Sequence, residues 1–235
     1  MSFKDEAAQC VCVDLGAQGD YTAIAEIGMQ EIWDKPAHED LIKDIRKVSY
    51  RYNVHQLRRM PLGTSYLEIV EHIKNVVSDP RLKNPYLVVD GTGVGLPVLQ
   101  MMQDKGLRPV GICITAGHTV SDWYTPRRQK IGKTVPKRDI IINMKNIADN
   151  FAIRVPESLE GAKALREELL NFKYKISKNG SDTYEAWRDK IHDDLVLAVG
   201  IGLWYLVDKF KTTQEIIDNK LKLNTKDEDY DPLYD

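Results

Sequence analysis

Tyr86-Leu87-Val88-Val89-Asp90-Gly91 decides how the rest of this 235-residue chain is read. An apolar run that fills both faces of a strand belongs in the middle of a parallel sheet, and the glycine-rich turn that follows leads into the helical spacing of Leu96 to Lys105. Strand, turn and helix in that order make an α/β unit. Asp90 falls at the carboxyl end of the strand, where open α/β sheets place their sites.

Two more aspartates sit in comparable places. Cys10-Val11-Cys12-Val13-Asp14-Leu15-Gly16 is an alternating, β-branched run; Gly19-Asp20 marks a turn, and Tyr21 to Ile27 forms a second run, so a hairpin is expected with Asp14 near its tip. His192-Asp193-Asp194-Leu195-Val196-Leu197-Ala198-Val199 puts acids in the first turn of a helix that continues to about Lys209. The helix dipole accounts for one such carboxylate, not for the set. Asp14, Asp90 and Asp194 are each wrapped in apolar residues that would exclude a charge unless something positive pairs with it. A divalent metal site explains all three, and the sequence reads as that of a metal-dependent enzyme. Successive helical residues point about 100° apart, so one of Asp193 and Asp194 faces the metal; Asp194 is the preferred ligand and Asp193 the partial contributor.

Further elements follow the same α/β pattern. A strand is expected near Tyr52 to Met60, a helix over Ser65 to Val77, a strand over Pro109 to Ile114, and helices over Asp139 to Asp149 and Gly161 to Asn171. A late hairpin is expected from Phe172 to Ile176 and Tyr184 to Trp187, around Asn179-Gly180. With 43% apolar residues the chain can bury one substantial core, expected over residues 1–210 with a helical insertion at about 33–50. Residues 211–235 form an extension whose acidic end is expected to be disordered. Cys10, Cys12 and Cys113 lack paired metal spacing, and Cys10 and Cys12, on one face of a strand, read as core residues in a reducing cytosol. No signal peptide or membrane-spanning stretch is present, and Val196 to Val207 is too short to cross a bilayer.

A net charge of −2 gives no overall affinity for nucleic acid, so binding must come from local patches. The clearest is the run from Trp123 to Arg138, with Arg127, Arg128, Lys130, Lys133, Lys137 and Arg138 and no acid after Asp122. Cations beside aromatics suit phosphate contact and base stacking, and a long aperiodic segment suits a mobile functional loop. A solvated surface is the plainer reading of any one of these charges. Lys175 and Lys178 of the late hairpin would reach the same duplex, or merely protect an edge. Asp20 is either near the metals or an ordinary turn residue, and His192 either a metal or proton partner or a packed cap.

The strings VDLGAQGDYTAIAEI (Val13 to Ile27), HQLRRMPLGTSYLEIVEHIK, VVDGTGVGLPVL, TVPKRDII, ELLNFKYKI and HDDLVLAVGIGLW resemble, in order, the nuclease domain of phage terminase large subunits. The similarity runs from about Val11 to Leu206. It implies a ribonuclease H-like fold, with a central mixed sheet of five or more strands flanked by helices, the first three antiparallel and the next two added in parallel beside the first. It also implies an endonuclease that uses two Mg²⁺ or Mn²⁺ ions about 3.5–4 Å apart on double-stranded DNA, with Asp14 bridging both ions and Asp90 and Asp194 holding one each. The implied partners are a terminase ATPase domain or subunit, a small terminase subunit and a portal protein, and the implied setting is the cytoplasm of a bacterial host. No GxxxxGK[ST] phosphate loop occurs, so an ATPase motor would lie outside this sequence. A resolvase or transposase-like nuclease is the alternative on the same fold. An actin- or sugar-kinase-like ATP-binding module is the alternative of another class.

Overall fold

In the computed structural model, which describes residues 6–17, 19–33, 48–93, 95–178 and 193–210, the Asp90 strand lies inside a sheet as its two apolar faces require. This strand, β4 (Tyr86–Asp90), runs parallel to β1 (Ala8–Asp14) on one side and to β5 (Pro109–Thr115) on the other. β1 pairs antiparallel with β2 (Ala23–Trp33), and β2 antiparallel with β3 (Val48–Arg59). The expected five-strand arrangement is therefore present. β6 (Ser121–Tyr124), β7 (Lys130–Pro136) and β8 (Ile153–Arg154) widen it to eight strands in the order β6-β7-β5-β4-β1-β2-β3-β8.

Alternation along the central strands divides the core into two layers. Val11, Val13, Leu87 and Val89 face α1 (Tyr66–Val77) and α2 (Gly95–Asp104), packing with Ile69, Ile73, Leu99 and Met102. Cys10, Cys12 and Val88 face the other way, toward α3 (Lys137–Asp149), α4 (Ala162–Lys178) and α5 (residues 194–210). α1 starts at Ser65 because its hydroxyl accepts the Glu68 N–H while the Ser65 N–H donates to the Glu68 carboxylate at 2.9 Å. Such a reciprocal cap satisfies two backbone donors that the first turn would otherwise leave to water. α5 lies close on β1 because Gly202 faces the strand: a methyl there would stand 2.1 Å from the Cys12 sulfur. That close approach carries the first turn of α5 to the carboxyl end of β1. The three cysteines are reduced, and Cys10 and Cys12 are core residues, as their spacing implied.

Three expectations change. Phe172 to Ile176 belongs to α4 and not to a hairpin strand. The local alternation Phe-Lys-Tyr-Lys-Ile loses to the longer period of Leu165, Leu169, Phe172 and Ile176, spaced three and four apart. The second arm, Tyr184 to Trp187, lies outside the described residues. The run from Trp123 to Arg138 is no irregular loop: β6 and β7 form a hairpin, and Lys137 opens α3. β2 and β3 also extend to a Trp33–Val48 pair, so strand occupies both ends of the expected 33–50 insertion, and residues 34–47 lie outside the described set. The expected disorder of the acidic end likewise falls there.

Candidate active site

A single row across the sheet gathers the chemistry. Asp14 is paired with Ala23 and Ala23 with Arg59, while Asp90 lies one residue beyond the Val13–Val89 pair. The row therefore reads Asp90, Asp14, Ala23, Arg59 over four adjacent strands spaced about 4.8 Å apart. Parity puts all four side chains on the α5 face: Asp14 follows Cys10 and Cys12, Asp90 follows Val88, and Arg59 follows Leu57. From above, α5 brings Asp194 in its first turn, preceded by Asp193.

Asp14, Asp90 and Asp194 are buried, each less than a tenth exposed. Burial pushes the Asp14 carboxyl well above the usual carboxylate range, and Asp90, Asp194 and Asp193 push it further. Burial also raises Asp90, against hydrogen bonds from Thr92 and Asp14. The Asp14 and Asp90 carboxyls lie close enough for the protonation of each to depend on the other. The structure thus brings the three predicted aspartates and Asp193 within electrostatic reach of one another. Among the described residues no three acidic, histidine or cysteine side chains close on a common point at chelating distance. The donor set nonetheless suits a hard divalent cation, since it is all carboxylate oxygen, dehydrated and mutually repelling.

Three side chains that sequence reading passed over hold this centre in place. Thr92 donates its N–H and its hydroxyl to Asp90 Oδ1 at 2.8 and 2.6 Å, and its oxygen accepts the Ile114 N–H at 2.8 Å. The Asp-Gly-Thr spacing is that of an Asx turn and signalled it. Glu168 of α4, 5% exposed, accepts the Val196 N–H at 2.9 Å with one oxygen and pairs with Arg59 through the other. Burial lifts its carboxyl to about 7. Its signal was an acid three residues after Leu165, on the same face of the helix. Arg59 turns its Nε toward Asp194 Oδ2 at 3.5 Å and stacks over Tyr21, 5.2 Å from the ring centre. Nothing local to β3 marks this arginine; only the row does.

The cations are placed less as expected. Lys137, half-buried, points Nζ at Asp193 Oδ2, 3.5 Å away, and its ammonium is lowered by burial against the pull of Asp193, Asp14 and Asp90. Lys130 pairs with Asp122 at 2.7 Å, Lys133 with Asp208 at 2.5 Å, and Arg138 with Asp139 at 3.5 Å. Arg127 and Arg128 are exposed at the hairpin turn, at the opposite end of β7 from Lys137, and Arg128 sits in the left-handed region at φ 60°. Trp123 is an anchor and not a stacking platform: its indole covers Gly91 and Gly111, where a methyl would come within 2.4 and 2.8 Å of it. Gly91 therefore answers to packing, and the turn after Asp90 is made by Gly93 at φ 70°. Asp20 is exposed in a turn closed by its own N–H to the Ala17 carbonyl at 2.9 Å. Lys175 and Lys178 fall on α4, with side chains outside the described residues, as is His192 altogether.

No family model and no curated protein matches the sequence. Solved structures do. The large terminase nuclease of thermophilic phage G20c aligns over 83% of this chain and 80% of its own, at 16% identity and a TM-score of 0.50. The human cytomegalovirus terminase nuclease domain, in a crystal soaked with Mn and bound to an inhibitor, aligns over 87% of this chain and 85% of its own, at 15% identity and a TM-score of 0.52. The chain has the ribonuclease H-like fold of these terminase nuclease domains.

Proposed function

We propose that this protein is a metal-dependent endonuclease that hydrolyses phosphodiester bonds of double-stranded DNA, cutting concatemeric viral DNA as the nuclease part of a packaging terminase. The observation that carries the reading is the meeting of Asp14, Asp90 and Asp194, buried and mutually repelling, at the carboxyl ends of two neighbouring parallel strands and the start of α5. The likeness of the fold to terminase nucleases supports it.

Asp14, Asp90 and Asp194 would hold the two Mg²⁺ or Mn²⁺ ions, with Asp193 contributing beside Asp194. Bound there, the ions would supply an activated water and stabilise the departing oxygen of an in-line displacement. Burial and the neighbouring acids favour the protonated form of Asp14, and burial that of Asp90, so protons compete with the cation and its affinity rises with pH. Thr92 keeps the Asp90 carboxylate aimed while that happens. Lys137, already turned toward the acids, meets the phosphate that arrives over them. Arg127 and Arg128 contact flanking phosphate from the hairpin turn, while Lys130, Lys133 and Arg138 do so in exchange for their present acid partners. Lys175 and Lys178 extend the same surface, and Asp20 and His192 stand in reserve as outer contributors. The terminase ATPase, the small terminase subunit and the portal are the proposed protein partners, in the host bacterial cytoplasm; among the described residues no helix is long and apolar enough to cross a membrane.

Supercoiled plasmid incubated with Mn²⁺, Mg²⁺ or EDTA tests the reading. Nicking and linearisation with either metal, absent in EDTA and absent from Asp90→Ala, are expected. Cleavage that survives EDTA or the substitution would sink it.

A further inference from the structure

Arg59 stands at the end of the carboxylate row with two acids within its reach. Glu168 holds one end of the guanidinium through a direct ion pair to Nη2, while Nε stays 3.5 Å from Asp194 Oδ2. Glu168 is itself fixed from behind: its second oxygen accepts the N–H of Val196 in the first turn of α5, and its side chain is 5% exposed. The Tyr21 ring backs the guanidinium from the β2 side. An arginine fork offers parallel donors that favour closing on a carboxylate in a bidentate pair, and Asp194 is the nearest candidate ligand. A guanidinium closed on Asp194 would occupy the oxygens that a divalent cation needs.

We propose that Glu168 is a positioning residue that parks Arg59, holding its guanidinium to that single long ion pair with Asp194 in place of a closed bidentate one, and so leaving that carboxylate able to take the cation. The proposal rests on the metal-dependent reading above and deepens it by naming what sets the competition at one of the two ion positions. A capping glutamate that served α5 alone would have no need of Arg59. A glutamate that only added negative charge would act on cation affinity whether or not Arg59 were present. Parking differs from both, because its whole effect passes through the arginine.

Mn²⁺ dissociation constants, measured by calorimetry and by the electron paramagnetic resonance of unbound Mn²⁺, decide the matter on the full chain without any turnover. The set comprises the unaltered protein, Glu168→Gln, Arg59→Met, the double variant, and Asp14→Asn as control. Glu168→Gln is expected to weaken binding by roughly 10-fold or more, the size typical of residues that orient metal ligands. Arg59→Met alone is expected to change it by about twofold at most, and adding Glu168→Gln to Arg59→Met to change it no further, a coupled result of the kind double-mutant cycles detect. Equal losses from Glu168→Gln with and without Arg59 would overturn the parking role and leave the nuclease reading intact. Failure of the unaltered protein to bind Mn²⁺ more tightly than Asp14→Asn would overturn both. Thermal unfolding is followed for every variant, and should Glu168→Gln not fold, Glu168→Asp replaces it, with its carboxylate drawn back by one methylene and the same dependence on Arg59 expected.

Discussion

The carboxylate row and the β6–β7 hairpin carry opposite charge and treat it in opposite ways. On the hairpin and the start of α3, Lys130, Lys133 and Arg138 each have an acid partner, and those pairs lie in or near water, where solvent and side-chain entropy leave them little weight in stability. At the row, Asp14, Asp90, Asp193, Asp194 and Glu168 gather around Lys137 and Arg59, and burial together with the neighbouring acids raises the proton affinity of Asp14 and Glu168. A surface run of lysines can look functional in sequence and be mostly neutralised in the fold. A knot of buried acids that remains under-compensated is maintained against its own stability, and such departures from local consistency concentrate at working sites.

Asp14→Asn probes that contrast most forcefully. Cleavage should fall on the order of 10³-fold or more, since one of the three proposed ligands is gone. The metal-free protein should at the same time melt higher, by about 2–4 °C for each kcal/mol of repulsion relieved. A variant that loses both activity and stability would mean that Asp14 is an ordinary structural acid.

The hairpin is probed through salt. With cleavage suppressed by Ca²⁺ or EDTA, Arg127→Gln and Arg128→Gln should each lower the slope of log affinity against log salt by about 1, one phosphate contact apiece. Lys133→Gln, whose ammonium lies 5.8 Å from the Trp204 ring and reaches phosphate only in exchange for Asp208, should lower that slope by roughly half as much. Equal effects from all three would erase the distinction between paired and exposed cations.

The smallest effect is the pH dependence of folding. Asp14 and Glu168 bind protons more tightly folded than unfolded, so their contribution is fullest at low pH and is lost as pH rises; for Glu168 the window runs from its ordinary 4.5 to about 7. Melting temperature of the metal-free protein should decline across that range, and saturating Mn²⁺ should reverse the decline. A melting temperature that climbs from pH 5 to 7 without metal would contradict the buried-acid description.

Much of this was legible because it is written in short-range pattern. The apolar run of Tyr86 to Asp90, the alternation of Cys10 to Asp14 and the Ser65/Glu68 cap each fix an element from a handful of neighbours, and elements of the right hand and order leave few ways to form a sheet. Asp14 and Asp90 could be singled out because acids end those strands. Arg59 and Glu168 could not, since what distinguishes them is a shared row and a helix laid across it, relations between residues 109 positions apart. Phe172 to Ile176 misled for the converse reason, as five residues satisfy a period of two while the longer stretch obeys the helical one. The hairpin escaped notice because its turn, Thr125 to Gln129, places an arginine at the left-handed position where glycine or asparagine would have announced it.

Trp123 gives the hairpin a mechanical character. With its indole seated on Gly91 and Gly111, the arm is bolted to the strand that bears Asp90, and swinging it outward would uncover both glycines and the rim of the core beneath them. A duplex gripped at Arg127 and Arg128 would therefore strain against the rigid frame of the molecule and not against a slack tether. Under the proposed function, force applied along the DNA would reach the carboxylate row as load on a single stiff body.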